Sequence, residues 1–333
     1  NSPAYGMRFN FADPTLLHNL DLTLSYTPNQ NLPANERFHA VFNHRFWGWK
    51  INATYNGGSF YDLFGPTKTS RKGYSAGIQY KKFLIYDEPR TLDYTLRVTG
   101  YGGLERLPDY QNVATSFDKF LSMTAGINYK FLHSSLGSVD YEKGYQWQTF
   151  FKNNWVKNKL FPRLYTHFDY GIPLPLDHSS IWTRNSMGYS SGNRTEPFAN
   201  FYFGGFGNNW IDYQNEKMYR EFYSFPGIKL NEIGGTNYGK TTLEWALPPV
   251  RFRHLGFSGL FTSWARFAIF TSGIVTNLGS PSQERKAVNL GTQLDFRIIM
   301  LYNLNFTLSL GYAVAAEKDQ RQTQEFMFSL KLL

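Results

Sequence analysis

The chain has 333 residues, a formal net charge of +9 and no cysteine. The absence of cysteine excludes disulfide frameworks, thiol catalysis and cysteine-ligated zinc sites. Lys and Arg are spread along the chain and form no run, which argues against a nucleic-acid partner and favours a basic interior or contact with anionic lipid headgroups. No apolar stretch approaches the roughly 18 consecutive residues of a membrane-spanning helix.

The predicted elements are short β-strands that recur from one end of the chain to the other. Period-2 alternation or strand-forming composition predicts about 16 of them, at 4–12, 17–27, 36–46, 48–57, 72–86, 90–101, 119–132, 144–156, 161–171, 179–190, 198–206, 240–248, 257–273, 286–300, 304–315 and 324–333. Single-chain bacterial barrels have even strand numbers, and small changes in these boundaries would give about 14 or 18.

Two segments show the alternation most clearly. In 121–131 every odd position is apolar, and in 288–298 Leu294 and Phe296 face one way while Asp295 faces the other. Soluble β-sandwiches alternate as well, with their apolar face inward. Short strands, an aromatic content of 18% and a mean hydropathy of −0.42 favour an all-β, transmembrane antiparallel β-barrel with lipid outside and a wet lumen inside.

Four charged side chains fall on the polar faces of the predicted strands. They are Arg97, Lys130, Asp295 and Arg297. On the lipid face, a Lys or Arg at the bilayer midplane would cost about 2–4 kcal/mol. We therefore expect these side chains to face the lumen, and the alternative is the solvated face of a soluble sheet.

The connections between the predicted strands are unequal in length. The long ones are 57–71, 102–118 and 207–239. A loop of roughly thirty residues in a compact domain is usually functional or disordered, and 207–239 carries several bulky apolar residues that indicate a packed element. We predict that it plugs the lumen, with Arg220, Glu221 and Lys229 as partners for lumen charges. The alternative is a plain surface loop.

Strand parity predicts the end of the barrel at which each long connection opens. If 207–239 is extracellular, the count puts 57–71 and 102–118 at the periplasmic end, where short turns are the rule. Their apolar residues would then dock a periplasmic partner module. The alternative is that the count has slipped by one strand.

The sequence predicts neither a catalytic site nor a metal site. Seven histidines are present, but no pair has the His-x-x-x-His spacing of a helical metal site. Asp177, His178 and Ser179 are adjacent, yet neighbours on an extended chain point to opposite faces, so a turn at a strand end is preferred to a catalytic relay. We expect a non-enzymatic protein without a cofactor.

The carboxyl-terminal part of the sequence carries a family resemblance. Residues 230–249, LNEIGGTNYGKTTLEWALPP, include Glu244 and end at Pro248 and Pro249. This segment and the order of parts from about residue 198 resemble the BamA/TamA-type bacterial surface-antigen family, which includes two-partner secretion pores. The resemblance implies a barrel of about 16 strands, a long loop between strands eleven and twelve that folds into the lumen, and a lumen-facing Glu244.

The inner loop departs from the family pattern. The family carries Arg-Gly-Tyr or Arg-Gly-Phe, whose guanidinium reaches an acidic residue on strand thirteen. The equivalent residues here are Phe225, Pro226 and Gly227, with no arginine before the glycine, and 270–273 contain no acid. Both partners of the ion pair are replaced together, so we expect Arg220 to supply the anchor.

The resemblance implies an outer-membrane protein of a Gram-negative bacterium that handles polypeptide or lipid. It also implies a lateral gate between 4–12 and 324–333. The candidate gate residues are Phe9, Phe11, Phe326 and Phe328. The expected partners are outer-membrane lipid, lipopolysaccharide and a periplasmic domain or accessory protein.

Two other functions stay open at this point. They are a passive diffusion pore for small solutes and a membrane anchor for a periplasmic module. We expect one barrel domain over 1–333, either as a processed chain or as the carboxyl-terminal part of a longer protein.

Overall fold

The computed structural model describes residues 5–15, 17–56, 73–104, 118–206, 211–212, 218–257, 259–301, 304–318 and 320–332. β-Strands dominate these ranges. The helical elements in them are single 3₁₀ turns at Ala34–Glu36, Pro197–Ala199 and Met218–Arg220. Within the described ranges, no helix is long and apolar enough to cross a membrane.

The strands are named here in chain order. They are β1 (Tyr5–Ala12), β2 (His18–Tyr26), β3 (Phe38–Phe46), β4 (Trp49–Tyr55), β5 (Tyr74–Asp87), β6 (Arg90–Gly102), β7 (Phe120–His133), β8 (Lys143–Val156), β9 (Lys159–Pro173), β10 (Ser180–Ser190), β11 (Phe201–Phe203), β12 (Ile211–Asp212), β13 (Ile233–Gly235), β14 (Asn237–Ala246), β15 (Val250–Phe257), β16 (Leu260–Thr276), β17 (Arg285–Met300), β18 (Leu304–Glu317) and β19 (Thr323–Leu332).

The wall is an antiparallel sheet in which successive strands pair from β1 to β10. β10 then pairs with β14, and β16 to β19 continue the order. β14 and β15 pair with successive parts of β16 and together make one crossing, which is interrupted at 247–249. Pro248 and Pro249 explain the interruption, because proline has no N–H to donate to the ladder.

The predicted all-β antiparallel barrel is confirmed, with a correction to the strand count. The described sheet has 17 strands, but β12 is two residues long and β15 continues β14, which leaves 15 crossings. The segment 198–206 is not a wall strand. Only β11 is extended there, and it pairs with β13 in a separate two-stranded sheet. The aromatic, strand-forming composition of this segment predicts extended backbone, but it does not say whether lipid or the protein interior covers the side chains.

β1 and β19 are the outermost strands of the wall sheet. Within the described residues no pairing joins them, and β19 pairs in parallel with the short β12 over two residues.

The side chains of the wall are distributed inside out. On β17, Val288 and Leu290 are 59% and 60% exposed, whereas Asn289, Gln293 and Asp295 are buried. The two faces of this strand therefore fall as its alternation predicts. An apolar exterior around a polar interior is the arrangement that a lipid bilayer requires of a barrel.

The three long connections leave the wall at the same end. Each follows an even-numbered crossing: β4 to β5, β6 to β7 and β10 to β14. The prediction that 57–71 and 102–118 open opposite 207–239 is therefore wrong, because the strand assigned to 198–206 shifted the count by one. The apolar residues predicted to dock a partner in 57–71 and 102–118 lie outside the described residues.

The other end of the wall carries the shorter turns and is called the short-turn end below. Its connections are 13–17, 47–48, 88–89, 134–142, 174–179, 258–259 and 301–303. The connection 134–142 is the longest of these turns, and it reaches into the lumen.

Candidate functional site

The lumen is occupied by the connection between β10 and β14, residues 191–236, which we call the plug. It begins earlier in the chain than the predicted 207–239. Its described part has its own core, in which Phe203, Phe225 and Ile233 are fully buried. This core packs on inward-facing residues of β14, β16, β17 and β18, namely Tyr238, Ile274, Ala287 and Ala315. The predicted folding of a long loop into the lumen is thus confirmed.

Wall side chains hold the plug by its backbone. Lys240 on β14 is buried, and its Nζ donates hydrogen bonds to the carbonyls of Glu221 at 3.1 Å, Phe222 at 3.2 Å and Ser224. Asn289 on β17 donates from Nδ2 to the carbonyl of Pro226 at 2.9 Å. An ammonium group donates up to three hydrogen bonds, so three converging carbonyls satisfy Lys240 in a buried site.

The last strand contacts the same part of the plug. The carboxylate of Glu325 on β19 accepts the backbone N–H groups of Phe206 at 3.1 Å and Gly227 at 3.0 Å. Gly227 has a φ of 95°, and a Cβ there would lie 2.8 Å from the Cβ of Ala315. Glycine is therefore required at this position, since any side chain would be strained and would clash with β18.

One plug side chain makes ion pairs with the interior. The guanidinium of Arg220 donates to Glu244 on β14 at 2.9 Å and to Asp140 in turn 134–142, also at 2.9 Å. Glu244 is fully buried, and it also accepts a bond from Arg184 at 3.0 Å. Arg184 in turn pairs with Asp169 at 2.7 Å.

The chain of charges continues from Asp140 to β16 and β17, which follow β14 in the wall. Arg266 lies 3.5 Å from Asp140 and 2.9 Å from Asp295. Asp295 also accepts hydrogen bonds from Gln293 and Ser309, each at 2.7 Å. Among the described residues, this charge network contains Asp169, Arg184, Glu244, Arg220, Asp140, Arg266 and Asp295.

Positive and negative side chains alternate along this network, which lowers the free-energy cost of burying them. Burial of a charge is costly unless an opposite charge and hydrogen bonds compensate for it, and every member here touches at least one opposite charge. Burial by itself would lower the pKa of Arg220, but the carboxylates of Asp140 and Glu244 outweigh burial and raise that pKa well above its ordinary value. Arg220 therefore stays charged and joins the plug to the wall.

The predicted loop residues occupy different positions in this arrangement. Arg220 and Glu244 are brought together. Glu221 is half-buried and offers its carbonyl to Lys240. Phe225, Pro226 and Gly227 are buried. Lys229 is exposed, its backbone N–H donates to the carboxylate of Glu232 at 3.2 Å, and its carbonyl accepts the N–H of Glu232 at 3.1 Å. Among the described residues its side chain pairs with no lumen charge, so this prediction for Lys229 is wrong.

The predicted lumen-facing charges share faces with buried polar residues. Asp295 is 1% exposed and belongs to the charge network. Arg297, on the same face of β17, donates to Thr307 at 3.4 Å. Arg97 donates to Thr99 on its own strand at 3.3 Å. Lys130 lines a cavity in the lumen.

The candidate gate residues lie on the two outermost strands of the wall. Phe9 and Phe11 on β1 are 40% and 64% exposed, and Phe326 and Phe328 on β19 are 67% and 46% exposed. These four side chains project outward, where lipid would contact them.

An aromatic contact joins the plug to β16. The rings of Tyr219 and Phe270 stack with centroids 4.1 Å apart, and Phe206 meets Phe270 edge to face at 6.0 Å. Tyr219, Phe206 and Phe270 are all buried. The plug thus contacts β16 through an apolar stack, while Arg220 directs its charge to β14.

Sequence reasoning missed several residues of this site. Lys240 and Glu244 lie on the same face of β14. Arg184 and Arg266 are the charged residues on the inner faces of β10 and β16, respectively. Period-2 patterning could therefore have found all three basic residues. Asp140 lies in a turn and carries no such signal. Within the described ranges, no three His, Asp or Glu side chains are grouped so that they could hold a metal ion.

Comparisons with known proteins identify the fold. No protein-family model matches the chain, and no curated protein matches its sequence. Two solved structures are similar: CdiB from Acinetobacter baumannii, with 13% identity and a TM-score of 0.53, and CdiB from Escherichia coli, with 12% identity and a TM-score of 0.51. The matches cover 98% and 97% of this chain but only 56% and 58% of the CdiB chains, so it spans little more than half of their length.

Proposed function

We propose that this chain is a plugged outer-membrane barrel that translocates polypeptide. The observation that carries the proposal is the plug itself, which lies in the lumen and is joined to the wall by Arg220, Lys240 and Glu325. A pore for small solutes needs an open lumen, whereas a pore for a large substrate must close between transport events. The fold shared with the two CdiB structures agrees with the sequence resemblance to a family that includes two-partner secretion pores.

The lengths of the connections support an orientation in the membrane. Outer-membrane barrels have short periplasmic turns and longer extracellular loops. The short-turn end would therefore face the periplasm, and the end at which the plug leaves the wall would face outward. In this orientation the substrate polypeptide arrives at the short-turn end, and outer-membrane lipid and lipopolysaccharide surround the apolar exterior.

The seam between β1 and β19 is part of the proposal. Phe9 and Phe328, on the outer faces of these strands, are 40% and 46% exposed. We place a weak junction there, so that the wall can flex when the plug moves. A cysteine pair at Phe9 and Phe328, cross-linked by a short bifunctional thiol reagent, should slow transport, and unchanged transport after complete cross-linking would remove the seam from the mechanism.

Planar-bilayer recording tests the proposed function. The intact chain should show small, brief openings, and a variant with 201–235 replaced by a short Gly/Ser linker should show large, steady conductance. Casein, a chain that stays unfolded in buffer, should block that conductance when it is added on the short-turn side. Large, steady conductance from the intact chain, or no block by casein, would favour a solute pore.

A further inference from the structure

The interior contains a cavity of about 720 Å³ below the plug, near the short-turn end. Its walls are the inner faces of β7 to β10, the turn 134–142 and the plug segment around Phe222. The lining mixes charged, amide and aromatic groups, including Lys130, Gln146, Gln148 and Tyr165. A lining of this kind offers contacts to a heteropolymer that carries polar and apolar side chains on the same strand.

The aromatic part of the lining forms a continuous stack. Phe150 and Tyr165 stack with centroids 5.3 Å apart, and Tyr165 and Phe222 also stack at 5.3 Å. The first two rings belong to neighbouring wall strands and the third belongs to the plug. A segment that binds along this stack therefore contacts the fixed wall and the plug at once.

Turn 134–142 contributes a carboxylate to the lining of this cavity. Asp140 enters from the turn and pairs with Arg220 of the plug and Arg266 of β16. Both arginines have a second carboxylate of their own, Glu244 and Asp295 respectively. The carboxylate of Asp140 thus lies between two guanidinium groups, and it comes from a turn, whereas the other two carboxylates come from wall strands.

The rest of the turn is held at its edges. Glu142 bonds His178 of the neighbouring turn at 2.8 Å, and Arg251 donates to the carbonyl of Gly137. The side chain of Leu136 at the tip is fully exposed. If the turn moved outward, Asp140 would leave the lining. The lining would then hold four basic side chains, Lys130, Arg184, Arg220 and Arg266, and two acidic ones, Asp169 and Glu221. The vacated position would therefore attract a carboxylate.

We infer that the cavity is the docking site for an extended, acidic segment of the transported polypeptide. A carboxylate of that segment takes the position of Asp140 between Arg220 and Arg266, and the neighbouring residues lie along the aromatic stack. Asp140 is then an internal competitor that occupies the carboxylate position until substrate arrives. The inference rests on the proposed function and adds the chemistry by which the substrate is recognised.

Peptide titration of the purified, detergent-solubilised protein tests the inference. Since the chain has no cysteine, a single Gln148→Cys substitution carries an environment-sensitive dye into the cavity, and Thr149→Cys places the same dye on the outer face as a matched control. The probes are a short Glu-rich peptide and the same peptide with Gln in place of Glu. We expect the dye at 148 alone to respond, with about tenfold tighter binding of the Glu peptide.

Variants of the turn and wall separate the roles of the charges. Asp140→Asn should tighten Glu-peptide binding by about tenfold because it removes the internal competitor. Glu142→Gln, a change in the same turn, should leave the Glu-over-Gln preference unchanged, and Arg266→Gln should abolish that preference. Heat-modified migration in gels, measured for every variant, identifies any variant that has not folded. If Asp140→Asn has not folded, Asp140→Glu replaces it as the test, and this variant should bind the peptides as wild type does.

Three results would overturn the inference: equal binding of the Glu and Gln peptides, weaker Glu-peptide binding by Asp140→Asn, or a stronger dye response to a neutral oligosaccharide than to either peptide. These outcomes can be distinguished from a failure of the proposed function. Casein block without a preference for acidic peptide refutes the docking site alone, whereas acidic-peptide binding without casein block refutes translocation and leaves only an acidic-peptide site in the cavity.

Discussion

Replacement of Arg220 by glutamine should loosen the plug without unfolding the barrel. The substitution removes the charge-assisted hydrogen bonds from the plug to Glu244 and Asp140. Neither carboxylate is left alone, because Glu244 keeps Arg184 and Asp140 keeps Arg266. The wall therefore retains compensated charges, and the loss falls on the attachment of the plug.

The size of the effect follows from the contacts that are lost. A hydrogen bond to a charged group contributes about 1.5–3 kcal/mol, and Arg220 makes such bonds to two residues. The net loss is smaller than the sum of these contributions, because Arg220 is already 22% exposed to solvent when the plug is seated and glutamine would keep one weaker hydrogen bond. A net loss of about 3 kcal/mol corresponds to a change on the order of 100-fold in the ratio of seated to unseated plug.

Single-channel recording measures that ratio as the fraction of time spent in the large-conductance state. Arg90→Gln is the matched control, because Arg90 pairs with Asp87 at 2.7 Å in an exposed turn outside the lumen. The control should behave as wild type does. Open occupancy of Arg220→Gln within about threefold of wild type would show that the charge network does not hold the plug, and an equal rise in the control would show a nonspecific effect.

Three further predictions concern the plug core, the outer face and the turn. Phe225→Ala should cost about 3–5 kcal/mol of plug packing, because the ring is fully buried, and should make the plug sensitive to added protease while the wall resists; equal resistance would contradict it. Leu290→Arg should cost about 2–4 kcal/mol near the bilayer midplane and reduce refolding into vesicles, whereas Leu290→Phe should refold normally. Burial would raise the pKa of Glu142, but hydrogen bonds from Ser135 and His178 outweigh it and lower that pKa. The stabilisation is therefore complete above the unfolded pKa of about 4.5 and is lost as the pH falls through the lowered value, so a dye at Leu136→Cys should become more mobile only at acidic pH, and Glu142→Gln should show no such transition.

Much of the wall could be predicted from the sequence. Strands such as 90–101 and 304–315 differ from β6 and β18 by at most two residues at either end. The exception at 198–206 has a physical cause: the aromatic composition of this segment is typical of a membrane strand, but Phe201 and Phe203 are buried in the lumen. Composition of this kind predicts a segment that must be covered, and it does not say whether lipid or protein covers it.

The candidate site was only partly predictable. Arg220 and Glu244 were found separately, the first from the composition of the loop and the second from the family resemblance. Asp140, which is 80 positions from Arg220 in the sequence, could not be found because it lies in a turn without periodicity. Alternation on β14 could have placed Lys240 on the same face as Glu244, but its carbonyl partners belong to the plug and follow only from the fold.

Strands with one apolar and one polar face could be predicted from the sequence alone, because alternation is a local property of each extended segment. The same pattern puts Asp295 and Arg297 on a polar face, but a soluble sheet would satisfy them equally well, and it is the fold that turns Val288 and Leu290 outward and buries Asp295. Which charges meet also depends on tertiary packing. The partners of Arg220 depend on the depth of the plug and on the position of turn 134–142, and these result from packing among segments far apart in the chain.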